Sequence, residues 1–199
     1  MARAFRRRGR GDGVRYVASL DEDERAIVGD LMGQVAELLA PPARTSTGDD
    51  SFDAVVAGMT FGDDTGASDV PDVPRDPALD RLLPTAHRDD ADAAAEFRRL
   101  TEGGLRDRKA RALTTAAAAL RGGDDVTLDA AEAPLFLTAL TDVRLVLGDR
   151  LGLESDEDLD LLEARVDRLD ATDPLTAMLG VYDFLTWLQE TLASALLGD

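Results

Sequence analysis

In APLFLTALTDVRLVLGDRL, residues 133–151, Phe136, Leu140, Val143, Leu147 and Leu151 recur at spacings of 4, 3, 4 and 4. Only an α-helix puts such residues on one face, because its turn takes about 3.6 residues whereas a strand alternates every second one. Leu135, Leu137, Leu145 and Val146 carry apolar surface nearly around the same helix. A helix that is apolar on most sides belongs in the middle of a core. Asp129 and Glu132 stand where they can satisfy its first backbone N–H groups. A chain organised around such an element is expected to be mainly α.

Other segments repeat the pattern with their own start signals. In SLDEDERAIVGDLMGQVAELLA, residues 19–40, Ser19 and Glu22 have capping-box spacing, and Ile27, Val28, Leu31, Met32, Val35, Leu38 and Leu39 recur helically until Pro41-Pro42. DPALDRLLP opens with Asp76 as cap and Pro77 in the first turn, then buries Leu79, Leu82 and Leu83. ESDEDLDLLEARVDRL predicts an acidic amphipathic helix through Leu159, Leu162, Val166 and Leu169, its acids gathered at the end where the helix dipole favours them. Asp173-Pro174 starts a last helix with Leu175, Met178, Leu179, Tyr182, Leu185, Leu188 and Leu192 on one face. Phe184 and Trp187 fall outside that face, which leaves apolar area for a homodimer contact.

Ahead of the helices, AFRRRGRGDGVRYVASL reads as a β-hairpin. The turn lies at Gly9–Gly13, and Val14, Tyr16 and Ala18 alternate onto one side. SFDAVVAGM, residues 51–59, predicts a short helix, and residues 60–75, rich in Gly, Asp, Ser and Pro, predict a flexible linker. The expectation is therefore a single helical domain over residues 1–199, with a small N-terminal β-hairpin and a linker over 60–75.

The chain has 199 residues and no cysteine, so it has no disulfide, no thiolate nucleophile and no thiol redox switch of its own. It has one histidine, His87, and the Asp-rich linker lacks the spacing of a calcium loop; no metal or cofactor is expected. No apolar run approaches the roughly 18 residues of a membrane helix, and the arginine-rich start runs straight into LDEDER. The expected location is cytoplasmic, without membrane association.

Lysine and arginine total 22 against 40 acidic residues, giving a net charge of -18. Nucleic-acid affinity grows from neutralised phosphates, so this balance disfavours direct DNA binding. Two stretches run the other way. Residues 1–16 carry Arg3, Arg6, Arg7, Arg8, Arg10 and Arg15 against Asp12 alone. Residues 96–111 carry Arg98, Arg99, Arg106, Arg108, Lys109 and Arg111 against Glu96, Glu102 and Asp107. Each has two readings: its cations meet the protein's own acids and water, or they meet an acidic partner. Arg6, Arg7, Arg8, Arg98 and Arg99 are the candidates for partner binding.

The second stretch contains LTEGGLRDRKARAL, residues 100–113, with the only lysine of the chain. Phe97 and Leu100 centre one apolar stripe, and Leu105, Ala112, Leu113, Ala116 and Leu120 form another about a third of a turn away. Gly103-Gly104 between them predicts a bend or a close helix crossing. Lys109 shares the stripe of Leu105 and Leu113, so it must snorkel or meet a carboxylate. Asp142 and Arg144, beside the packed face of the central helix, need polar partners for the same reason. Lys109, Asp142 and Arg144 are thus expected in a structural polar network. No residue is assigned as catalytic; an enzyme using Lys109 would need a site assembled from separate helices.

DPALDRLLP, AAAEFRRLTEGGLRDRKA, LTALTDVRLVLGDRLG and VYDFLTWLQETL together resemble landmarks of the actinobacterial AosR-like family, long grouped as a domain of unknown function. The resemblance covers most of the chain outside the linker. It implies a role in transcription under oxidative stress and an encoded position near the adaptor of the Clp protease. The family's described redox switch uses two nearby cysteines, which this chain lacks. What the resemblance implies is then a regulatory protein that contacts the transcription machinery, with a sigma factor as a candidate partner. A proteolysis-linked adaptor or structural interaction protein is the alternative.

Overall fold

The structure, a computed structural model, describes residues 2–40, 76–84, 91–123 and 125–198; the side chains of Asp12 and residues 91–94 are not part of that description. The expected helix at 51–59, the linker at 60–75 and His87 lie outside the described residues. Met1–Ala40 and Asp76–Asp199 make one compact unit. Its described elements, in order, are β1 (Arg3–Arg8), β2 (Arg15–Ser19), α1 (Glu22–Leu38), α2 (Pro77–Leu82), α3 (Ala91–Ala119), β3 (Asp125–Leu128), α4 (Glu132–Leu151), α5 (Asp156–Val166) and α6 (Pro174–Leu197). The class is mainly α with an N-terminal β-hairpin.

Helix α4 is the hub. It packs on α1, α2, α3 and α6, and Phe136, Ala139, Leu140 and Val143 are buried along it. Asp129 Oδ1 accepts from the backbone N–H groups of Ala131 and Glu132, while Glu132 Oε2 accepts from Asp129 N–H. These bonds satisfy donors that a helix start leaves open. Leu135 and Leu145 are exposed, so the apolar circumference is only partly used.

The α1 cap lies two residues later than Ser19 and Glu22 suggest. Asp21 Oδ1 accepts from Glu24 N–H at 3.0 Å, and Glu24 Oε2 accepts from Asp21 N–H at 2.8 Å. Ser19 is still in β2, where its hydroxyl donates to Asp125 Oδ1 at 2.6 Å. Pairing with β3 thus takes the residue that local spacing offers to the helix. Asp76 and Asp173 cap α2 and α6, with Pro77 and Pro174 in the first turns.

The hairpin is part of a three-stranded antiparallel sheet in the order β1-β2-β3. Phe5, Tyr16, Ala18, Val126 and Leu128 are buried in the main core. Phe5 meets Phe136 of α4 edge-on, with ring centroids 5.8 Å apart. This contact ties the sheet to the central helix.

Helix α3 runs through Gly103-Gly104 without interruption. Among the described residues, a Cβ on Gly103 would meet nothing within 4 Å, and one on Gly104 would meet Arg108 of the same helix. Among the described residues, no neighbouring helix comes within 4 Å of those positions. Phe97 and Leu100 are 45% and 68% exposed, whereas Ala112, Leu113, Ala116 and Leu120 are buried. The later stripe is the one buried in the core.

Candidate interaction surface

Cross-strand pairing determines which arginines share a face, because directly opposed residues point to the same side of a sheet. Tyr16 opposes Leu128 and Ala18 opposes Val126, and all four are buried. The alternate residues make the outer face: Arg3 opposes Ser19, Arg6 opposes Val17, and Arg8 opposes Arg15. Val17 and Ser19 oppose Thr127 and Asp125. Arg3, Arg6, Arg8 and Arg15 are exposed.

Among the described residues, the side chains of Arg3, Arg6 and Arg8 enter no salt bridge or hydrogen bond. The Arg15 guanidinium donates to the carbonyl of its neighbour Val14. It also lies close enough to Asp129 to help hold that carboxyl below its ordinary pKa, behind the larger effect of the backbone N–H groups of Glu132 and Ala131. Arg7 opposes Tyr16 and so points away from this face. Its Nη1 would lie 3.6 Å from a Cβ on Gly198, at the C-terminus of α6, whose last turn contains no basic residue. A cation there complements the helix dipole.

Four of the six cations in the α3 stretch, Arg98, Arg99, Arg106 and Lys109, are used differently. Arg98 and Arg106 both reach Glu102 four residues away, and Arg99 pairs with Glu96. Arg99 holds the Glu96 carboxyl below its usual range. Arg106 also donates to the Leu39 carbonyl at the end of α1, at 3.3 Å. Arg98 and Arg99 therefore already have partners on their own helix.

Lys109 Nζ donates to Asp142 Oδ1 at 2.5 Å; the lysine side chain is 17% exposed and the aspartate 1%. Burial pushes the Asp142 carboxyl up from its ordinary pKa, opposed by the bond and charge of Lys109. Among the described residues, its Oδ2 has no hydrogen-bond partner. Arg144 stands apart from this pair. It donates to Gln189 Oε1 at 3.0 Å and to the Tyr182 hydroxyl at 3.3 Å, with its guanidinium carbon 5.1 Å from the Tyr182 ring centroid. The three residues proposed as one network thus make two contacts, α3 to α4 and α4 to α6.

An open cavity of about 740 Å³ lies between α1, α4 and α6, lined by Leu31, Val35, Val143, Val146, Met178 and Val181 among others. Among the described residues, no three His, Asp or Glu side chains converge as a metal site would require, and no helix is long and apolar enough to cross a membrane.

Of the candidate partner-binding residues, Arg6 and Arg8 lie together on the sheet face, Arg7 lies at the end of α6, and Arg98 and Arg99 are paired. Arg3 and Arg15 join the face through the strand register. For Arg15 the signal is present in the sequence: the alternation of Val14, Tyr16 and Ala18 puts it on the opposite side.

The chain belongs to the family described as Domain of unknown function (DUF2017), which matches residues 2–196. It is 29% identical over 202 residues to the oxidative stress regulator AosR of Mycobacterium tuberculosis, a match covering 94% of this chain and 85% of the relative. The AosR of Mycobacterium bovis matches to the same extent. No solved structure matches.

Proposed function

We propose that this DUF2017 protein is a cytoplasmic regulator acting in a stress response through protein–protein contacts with the transcription machinery, a sigma factor being the leading kind of partner. The observation that carries the reading is the similarity along nearly the whole chain to proteins named oxidative stress regulators. A site grafted onto one segment would not explain so extended a match. The charge balance supports contact with protein in preference to DNA, since -18 overall opposes a phosphate backbone. With no cysteine in the sequence, any response to oxidant reaches this protein by a route other than its own thiols.

The test is affinity capture from a native lysate at modest salt, combined with transcript profiling of a deletion strain before and after peroxide. The expected outcome is specific retention of a sigma factor or polymerase subunit and an altered peroxide response. Retention of protease components alone, with transcripts unchanged, would transfer the role to proteolysis. Tight, sequence-specific DNA binding at physiological salt would replace the protein-contact mode by a DNA-reading one.

A further inference from the structure

We infer that the outer face of the β1-β2-β3 sheet, through Arg3, Arg6, Arg8 and Arg15, is the docking site for a short acidic segment of a partner protein. The inference deepens the protein-contact reading above and rests on it for its biological meaning.

Three observations converge on the face. First, among the described residues, Arg3, Arg6 and Arg8 are exposed and make no ion pair or side-chain hydrogen bond. Second, Arg8 directly opposes Arg15, and like charges across a strand pair oppose folding. Third, the β1 edge of the sheet is covered: α6 packs beside β1, and Thr191 Oγ1 accepts from Phe5 N–H at 3.3 Å. A partner strand therefore cannot add beside the arginines of β1, and a segment that contacts Arg3, Arg6 and Arg8 together has to lie across the face.

The shape and surroundings of the face select the occupant. Six residues of β1 span about 17–20 Å, and three strands span about 10 Å. That footprint suits a few carboxylates on two turns of helix or a short extended segment. Phe5 and Tyr16 are buried beneath the sheet, so the aromatic platform on which single-stranded bases stack is missing from this face. Asp125 and Asp129 flank it on the β3 side, where a continuous phosphate chain would meet repulsion. A short acidic peptide can end before reaching them.

The test uses the full chain and a fluorescently labelled 16-residue peptide of Glu, Asp, Leu and Ala, with a Gln/Asn counterpart and a 16-nucleotide single-stranded RNA as comparisons. Anisotropy should show salt-sensitive binding of the acidic peptide, at least tenfold weaker in Arg6→Glu/Arg8→Glu and unchanged in Arg98→Glu/Arg99→Glu. Circular dichroism should show all variants folded. If charge reversal unfolds the sheet, Arg6→Gln/Arg8→Gln supplies the same comparison. Absence of peptide binding, or binding indifferent to Arg6 and Arg8, overturns the assignment. So does RNA binding more tightly through those residues, or self-association through this face in sedimentation. If sigma-factor or polymerase capture survives Arg6→Glu/Arg8→Glu, the assigned surface is wrong and the functional reading stands. If wild type captures neither, the functional reading fails while the peptide measurement still decides the surface.

Discussion

The two basic stretches are close in composition and opposite in use. On α3, Arg98, Arg99, Arg106 and Lys109 are satisfied by Glu102, Glu96 and Asp142. On β1, Arg3, Arg6 and Arg8 have no such partners among the described residues. Backbone geometry accounts for the difference. A helix brings residues three and four apart into contact, so acids at those spacings neutralise their own segment. A strand puts Arg6 and Arg8 on one side about 7 Å apart, and the facing residues are Val17 and Arg15. Four of the six cations of the α3 stretch are thus internal structure, whereas Arg108 and Arg111, exposed there, share with Arg3, Arg6 and Arg8 the lack of an ion pair among the described residues.

The strongest way to break this comparison is at Lys109. Lys109→Met leaves Asp142 buried without its cation, and breaking such a pair should cost about 3 kcal/mol, the lower end of the usual range because the lysine retains some water contact. Lys109→Met/Asp142→Val should recover most of the loss, since an ion pair replaced by apolar residues of similar size is often neutral. Guanidinium unfolding of the wild type, both single variants and the double variant measures the coupling. A Lys109→Met loss below about 0.5 kcal/mol, the scale of ordinary surface changes, would put Lys109 with the free arginines of β1.

Arg106 gives a smaller effect of the same kind. It binds Glu102 and the Leu39 carbonyl and is only 16% exposed, so Arg106→Ala should cost about 1–2 kcal/mol. Arg6→Ala/Arg8→Ala should remain within about 0.5 kcal/mol of wild type. Comparable losses in both variants, measured by thermal or denaturant unfolding, would erase the distinction.

Much of this organisation was legible in the sequence. The stripe from Phe136 to Leu147, the proline-marked starts of α2 and α6 and the hairpin arms depend on local spacing, and they stand as read. Lys109 could be expected to meet an acid because it shares a stripe with Leu113. That the acid is Asp142, and that Arg144 turns to α6, depends on how helices 33 and 45 residues apart in sequence meet. The later cap of α1 and the short β3 were hidden for the same reason: Ser19 is committed to Asp125, 106 residues away. Phe97 and Leu100 stay 45% and 68% exposed, because an apolar spacing does not say how deeply its residues are buried.

Acid should separate the two regions further, by less than the substitutions above. Burial raises the folded pKa of Asp142, so between its ordinary and raised values the native chain holds more proton than the unfolded one. That contribution to stability is fully present below the unfolded pKa and is lost as pH rises through the folded value. On acidification from pH ~7 towards ~4, wild type should therefore gain relative to Lys109→Met/Asp142→Val. The difference between wild type and Arg6→Ala/Arg8→Ala should stay nearly flat. Denaturant midpoints across that range check both slopes, and a reversed first slope would mean that Lys109, not burial, dominates the Asp142 carboxyl.

The smallest expected effect is the most telling about the sheet face. Arg8 and Arg15 oppose each other directly, and removing one member of such a like-charge pair should stabilise a sheet by about 0.2–1 kcal/mol. Arg8→Thr keeps a good strand former at the position, so the gain is not masked by lost β-propensity. It should shrink with added salt, since exposed charges are screened within about 8–10 Å at ordinary ionic strength. The same substitution should weaken acidic-peptide binding. A variant more stable at low salt yet poorer at binding has the signature of a residue kept for contact at the expense of folding. If Arg8→Thr destabilises the chain at every salt concentration, Arg8 supports the fold after all, and the two basic stretches differ less than their partners suggest.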